Sequence, residues 1–166
     1  MILVGLGSNL TTGQFTSSEQ VLEAAIKSLE KIGVHVVLRS AWYRSAPVPV
    51  SDQPWFVNGV IAVATDRAPG DLLDALHTIE HEYGRIRSRR NESRTLDLDL
   101  LAYDDRVCQQ PGGLILPHPR IAERAFVLAP LAELAPEWRH PVTGRTAAEM
   151  LADLPPGQTV ERIAEA

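Results

Sequence analysis

Apolar positions in this chain switch between two rhythms. "MILVGLGSN" opens as a short apolar run closed by glycines and an asparagine, which predicts a strand and a turn. In "SSEQVLEAAIKSLEKIG" the period changes. Val21, Leu22, Ala25, Ile26, Leu29 and Ile32 recur at helical spacing, Ser17 with Gln20 suits a capping box, and Gly33 supplies a stop. "VHVVLRSAWYRS" is β-branched and aromatic and predicts one strand, and "WFVNGVIAVATD" predicts the next. Between them, residues 45–54 carry Pro47, Pro49 and Pro54, which rules out a central strand and leaves a long loop.

"PGDLLDALHTIEHEYG" places Leu72, Leu76, Ile79 and Tyr83 on one helical stripe, with Gly84 as its stop. The polar segment "RIRSRRNESR" then leads into a fourth strand, "TLDLDLLAYDD". The order β-α-β-β-α-β predicts an α+β, ferredoxin-like fold: an antiparallel sheet with both helices on one face. The tail adds a hairpin in "RVCQQPGGLIL", an apolar stretch interrupted at Pro130 and Pro136, and a short helix begun by a capping box of Thr146 and Glu149. There is no internal repeat, low-complexity tract or linker, so residues 1–166 are expected to form a single domain.

Composition narrows the function classes. Apolar content of 45% and charged content of 22% are ordinary for a soluble globular chain. A net charge of −5 argues against general nucleic-acid or anionic-membrane binding. The single cysteine, Cys108, has no internal disulfide partner and no metal-ligand spacing around it, and reads as a plain hairpin side chain. The N-terminus lacks a basic n-region and no apolar run is long enough to span a bilayer, so a cytoplasmic protein without membrane attachment is expected.

The chemistry concentrates in residues 85–99. On a strand, Asp97 and Asp99 point to one side while Leu96, Leu98 and Leu100 point to the other. Two carboxylates on one face repel unless solvated, protonated or bridged by a cation, and Mg²⁺ accepts such oxygen ligands together with phosphates. An isolated D-x-D is an ordinary solvent-facing strand. Here it directly follows Arg85, Arg87, Arg89, Arg90 and Arg94, a local positive field in a net-acidic chain. Arginine forks suit phosphate, so the pair and the cluster together suit a polyphosphate. No G-x-x-x-x-G-K-[ST] pattern is present, and the glycines of "GLGSN" read as a turn. Phe56 and Asn58 share a strand face, where they would either stack on and read a planar heterocycle or serve as a core ring beside a capping amide. His118, in the stiff frame "LPHPR", is open to a phosphate-binding or a structural role, and Arg124 with Phe126 repeats the arginine–aromatic theme.

"GLGSN", "YRSAPV", "DQPWFVNGV", "GRIRSRR", "RTLDLDLL", "LPHPR" and "RAFVLAPLAELAP" follow one another in the order found in the 6-hydroxymethyl-7,8-dihydropterin pyrophosphokinase family, which the chain resembles from about residue 2 to about residue 154. The resemblance implies a ferredoxin-like fold and Mg²⁺-dependent transfer of pyrophosphate from ATP to the hydroxymethyl group of the reduced pterin, with AMP released. It implies two Mg²⁺ ions on Asp97 and Asp99. It implies a pterin ring between Phe56 and Phe126, read by Asn58 and by the loop around Ser45, Ala46 and Val48. It places Glu80, His118 and Arg124 with the nucleotide, and Arg85, Arg87, Arg90 and Arg94 on a loop that closes over the phosphates, Arg85 and Arg94 in a catalytic role. The partners implied are ATP and the pterin, with no nucleic acid and no membrane, in a monomer. The chain departs from the common R-W-G-P-R pattern at Asn91, Glu92 and Ser93, and Gly112 and Gly113 stand where relatives carry a cationic residue.

A reading of another class is a non-catalytic ferredoxin-like module for a small ligand or RNA. Fold alone permits it. An aromatic content of 5% and the acidic balance weigh against RNA, and such a module gives no reason for a carboxylate pair beside five arginines. A degenerate, inactive pyrophosphokinase is a third reading, although every metal and pterin position that can be matched is intact.

Overall fold

Strand β1 (Ile2–Ser8) is buried along its whole length because it lies inside the sheet, antiparallel to a strand on either side. The computed structural model describes residues 1–9, 15–47, 51–84, 95–110 and 113–164. After β1 come α1 (Ser18–Lys31), β2 (His35–Arg39), β3 (Tyr43–Ser45), β4 (Phe56–Ala64), α2 (Pro69–Glu82) and β5 (Asp97–Tyr103). This is the predicted ferredoxin-like order with its second strand cut in two. The sheet runs β5-β1-β4, and β2 and β3 then share the far edge of β4: β2 lies against Ile61–Ala64 and β3 against Phe56–Asn58.

The cut is made by one side chain. The Ser40 hydroxyl donates to the Ala41 carbonyl at 2.7 Å and accepts from the Val60 N–H at 3.1 Å, so a side chain takes over a backbone position and the strand turns aside. The Trp42 ring then lies on Gly59, where a Cβ would stand 2.5 Å from the ring. Only glycine fits under it.

Strand alternation sorts the apolar residues into two cores. On one face Ile2, Val4, Leu6, Leu98 and Leu100 meet Leu22 and Leu29 of α1 and Leu72 and Leu76 of α2. On the other, Leu3, Val60, Ala62 and Leu101 meet Leu128 and Leu131 of α3 (Ala125–Leu134) and Met150 of α4 (Ala147–Ala152). The two helices of the repeat thus share one face as predicted, and the tail helices cover part of the other. Each fully buried leucine contributes about 1.5–3 kcal/mol relative to exposure.

The caps follow the sequence with one change. Ser17 accepts from the Gln20 N–H at 3.2 Å, but the Gln20 side chain returns to the N–H of Thr16 rather than that of Ser17. Gly33 and Gly84 sit at φ +84° just past α1 and α2, the left-handed stop that glycine adopts without strain. Thr146 and Glu149 form both bonds of their box. Two expectations are corrected. "GLGS" is strand, not turn, because β1 runs on to Ser8. Pro130 lies inside α3 instead of breaking it. That helix is sunk in the second core, with Leu128 and Leu131 fully buried, and packing outweighs the N–H the proline lacks. The tail also contains an unpredicted strand, β8 (Val160–Arg162), paired with β3. Cys108 lies in a hairpin of β6 (Cys108–Gln109) and β7 (Ile115–Leu116), half-buried and free. No helix among the described residues is long and apolar enough to cross a membrane.

Candidate active site

Where α3 begins, the second face of the sheet opens into a cavity of about 200 Å³. The alternation that buries Leu98 and Leu100 turns Asp97 and Asp99 into this space. Its floor is β1, at Gly5 and Gly7. These glycines keep the floor low: a Cβ on Gly7 would stand 3.0 Å from Asn58 Nδ2, and one on Gly5 would touch Leu101 at 3.4 Å. The sequence signal was available in G-x-G itself, whose period of two marks one strand face.

One end of the cavity brings two aromatic rings and an amide together. Phe56 and Asn58 rise from β4, Ser45 from β3, and Phe126 from the first turn of α3. Ser45 donates its hydroxyl to Asn58 Oδ1 at 2.5 Å, with both side chains buried. This bond fixes the amide, so that Nδ2 is turned toward Gly7 and the cavity floor as a donor. Asn9, buried just after β1, donates to the Pro54 carbonyl at 3.0 Å and anchors the far limb of the proline-rich loop.

The other end is charged. Asp97 and Asp99 stand on β5, and Arg124 reaches them from the start of α3, its Nη1 3.9 Å from Asp99 Oδ2 and its guanidinium 5.5 Å from the Phe126 ring centroid. Arg120, Glu123 and Gln158 also line the wall, and no spacing or motif in the sequence marks them. Arg120 precedes and Glu123 ends a short 3₁₀ turn, Ile121–Glu123, whose geometry no periodicity announces, and Gln158 arrives from the far end of the chain.

Two residues assigned by resemblance to the nucleotide do not line the cavity. Glu80 is 1% exposed on α2, and its carboxylate accepts the Leu98 N–H at 2.8 Å, the amide between the two aspartates. It therefore holds edge strand β5 against α2. His118 is half-buried, donates its backbone N–H to the Leu101 carbonyl at 2.8 Å, and accepts the Arg120 N–H at Nδ1. Burial, with the neighbouring Arg124 and Arg120 charges, lowers its pKa to about 4 against the opposing pull of Asp97. The ring is neutral at physiological pH with its proton on Nε2, a donor and not a base. Ser45, Ala46, Phe56, Asn58, Asp97, Asp99, Arg124 and Phe126 come together on the cavity wall. Val48, Arg85, Arg87, Arg90, Arg94 and the departures at 91–93 lie outside the described residues.

Fold and site together define a ferredoxin-like α+β domain with an aromatic–amide cleft joined to a carboxylate–arginine cleft on the open face of its sheet. The family model for 7,8-dihydro-6-hydroxymethylpterin-pyrophosphokinase matches residues 3–136, and the chain belongs to that family. It is 44% identical over 163 residues to the 2-amino-4-hydroxy-6-hydroxymethyldihydropteridine pyrophosphokinase of Pseudomonas aeruginosa, covering 98% of this chain and 96% of that one. It is 40% identical to the protein of the same name from Methylorubrum extorquens, covering 96% of both. Among solved structures, wild-type Plasmodium falciparum HPPK-DHPS superposes on 91% of this chain and 44% of its own with a TM-score of 0.71 and 14% identity, a likeness of fold.

Proposed function

We propose that the cavity is where this chain transfers pyrophosphate from ATP to 6-hydroxymethyl-7,8-dihydropterin. As a member of its family the chain is a pyrophosphokinase of folate biosynthesis, with ATP as co-substrate and the hydroxymethyl pterin as acceptor. The observation that carries the assignment to this site is the union, in one cavity, of Phe56, Phe126 and Asn58 with Asp97, Asp99 and Arg124.

The residues divide the work. Phe56 and Phe126 offer ring surface to the planar pterin, and the fixed Asn58 amide offers a donor to a ring acceptor. Asp97 and Asp99 suit Mg²⁺. Among the described residues no group of three or more His, Cys, Asp or Glu could hold a metal, so this is a short, oxygen-only donor set. Mg²⁺ accepts such a set, taking water and phosphate oxygens for its remaining positions. Two ions are proposed there, and when bound they supply charge neutralisation to the phosphates. Arg124 places a further cation beside the same phosphates. The hydroxymethyl oxygen attacks the β-phosphorus in line, and AMP leaves. Among the described residues no histidine, lysine or cysteine lines the cavity, and His118 is a neutral donor, so positioning and charge stabilisation are proposed to carry the rate. Arg85, Arg87, Arg90 and Arg94 are proposed to close over the phosphates, Arg85 and Arg94 nearest the chemistry, and Val48 to border the ring. For Glu80 the proposed share is to hold β5 in place beside the nucleotide.

The chain is further proposed to act as a cytoplasmic single-domain monomer without nucleic-acid or membrane partners, in keeping with its net charge of −5. The test is AMP formation from ATP and Mg²⁺ with and without 6-hydroxymethyl-7,8-dihydropterin. Pterin-dependent AMP is expected. Nucleotide bound with no AMP, or AMP formed at the same rate without pterin, would overturn the acceptor assignment.

A further inference from the structure

The family model ends at residue 136, yet a side chain from beyond it completes the cavity wall. Gln158 donates from Nε2 to the Glu123 carbonyl at 2.8 Å and accepts at Oε1 from the Ala125 N–H at 2.9 Å. It thus grips the backbone on both sides of Arg124. Helix α3 begins at Ala125 with Arg124 as its N-cap residue, and no side chain of the N-cap itself bonds the first turn. Gln158, more than thirty residues away, instead supplies an acceptor for the first N–H of the helix, that of Ala125.

The neighbouring residues hold the opposite wall. The Thr159 carbonyl accepts the Ala46 N–H at 3.1 Å, and Val160 of β8 pairs with Ser45. Farther along β8, Arg162 donates from Nε to Glu133 of α3 at 2.6 Å, and Glu133 also accepts from the Tyr43 hydroxyl of β3 at 3.1 Å. Residues 158–162 therefore tie β3, which carries Ser45, to the helix that carries Arg124 and Phe126.

We propose that Gln158 is a positioning residue for Arg124, and that the segment 158–160 is a latch setting the distance between the ring-reading and charged ends of the cavity. The proposal rests on the transfer reaction assigned above. Both side-chain hydrogen bonds of Gln158 go to backbone on either side of Arg124, so its effect on the reaction is assigned to where Arg124 is held. A small misplacement of a charge-stabilising cation costs turnover more than affinity.

The test compares wild type, Gln158→Ala, Gln158→Glu, Arg124→Ala and the double variant Gln158→Ala/Arg124→Ala. Each is assayed for kcat, for KM of both substrates, and for Tm. Gln158→Ala is expected to lower kcat about tenfold while both KM values stay within about twofold. In the Arg124→Ala background the same change is expected to lower kcat by less than about twofold, because its route is already gone. Gln158→Glu keeps the acceptor for Ala125 and loses the donor for Glu123; its kcat is expected between wild type and Gln158→Ala, and it carries the test if the alanine variant does not fold. Effects that multiply in the double variant, or a kcat unchanged while Tm falls, would overturn the proposal and leave Gln158 a structural cap. A wild type without pterin-dependent AMP formation would remove the functional reading itself, and the latch with it, a failure distinct from any difference among variants.

Discussion

The two faces of the sheet are made by the same three strands and do opposite things. Under α1 and α2, β1, β4 and β5 present Leu6, Ile61, Leu98 and Leu100, closed off from water. On the reverse side, past the part that α3 and α4 cover over Leu3, Val60, Ala62 and Leu101, the alternate residues are Gly5, Gly7, Asn58, Asp97 and Asp99, and the surface is a cavity. The difference teaches that stability and chemistry are divided residue by residue at a period of two. The polar face tolerates a carboxylate pair because the apolar face, with Glu80 gripping the Leu98 amide, already holds β5 in place.

The largest expected effects come from residues adjacent in sequence and opposite in space. Asp97→Ala/Asp99→Ala should cut kcat by about a thousandfold or more, with Tm within a few degrees of wild type. Leu98→Ala should do the reverse: a loss of about 2–5 kcal/mol in urea unfolding, with the folded fraction keeping near-normal kcat. If the aspartate variant unfolds instead, or Leu98→Ala loses turnover at full stability, the two faces are not separate in function.

Within the cavity face, Phe126→Ala should raise KM for the pterin about tenfold and KM for ATP much less. Equal changes in both would make the ring a packing residue rather than a binding surface. Gly7→Ala sharpens the comparison further, since its Cβ would stand 3.0 Å from Asn58 Nδ2 and push the amide aside. A several-fold rise in pterin KM is expected, with little change in Tm; a fall in Tm alone would assign Gly7 to the fold.

The fold was legible wherever period and caps agreed. Val21 to Leu29, Leu72 to Ile79 and the alternation of Leu96 to Leu100 fixed two helices, a strand and its faces. Legibility failed where a distant contact overrode a local rule. Ser40 split a strand by bonding to Val60, and Pro130 stayed helical because its helix is buried. Of the site, Asp97, Asp99, Phe56 and Asn58 could be singled out as candidates from spacing and chemistry. Ser45 and Arg124 gained their roles by resemblance, and Gln158 was invisible, because its partners are backbone atoms more than thirty residues away.

A separate effect, seen only as a dependence on pH, concerns His118. Its pKa in the folded chain is about 4, against about 6.5 when unfolded. Below pH 6.5 the unfolded chain takes up a proton that the folded chain refuses, so stability is full above that pH and falls as pH drops toward 4. In metal-free protein the loss should reach about 3 kcal/mol at pH 4, read as a falling urea midpoint, and His118→Gln should flatten the slope over that window. An unchanged slope would mean that the ring is not buried as described.

The most direct test of the central claim is a crystal structure of the chain with Mg²⁺, a non-hydrolysable ATP analogue and 6-hydroxymethylpterin. The account predicts the ring against Phe56 and Phe126 with Asn58 at its edge, and the phosphate chain beside Asp97, Asp99 and Arg124. A pterin seated elsewhere, or phosphates lying away from the two aspartates, would contradict it.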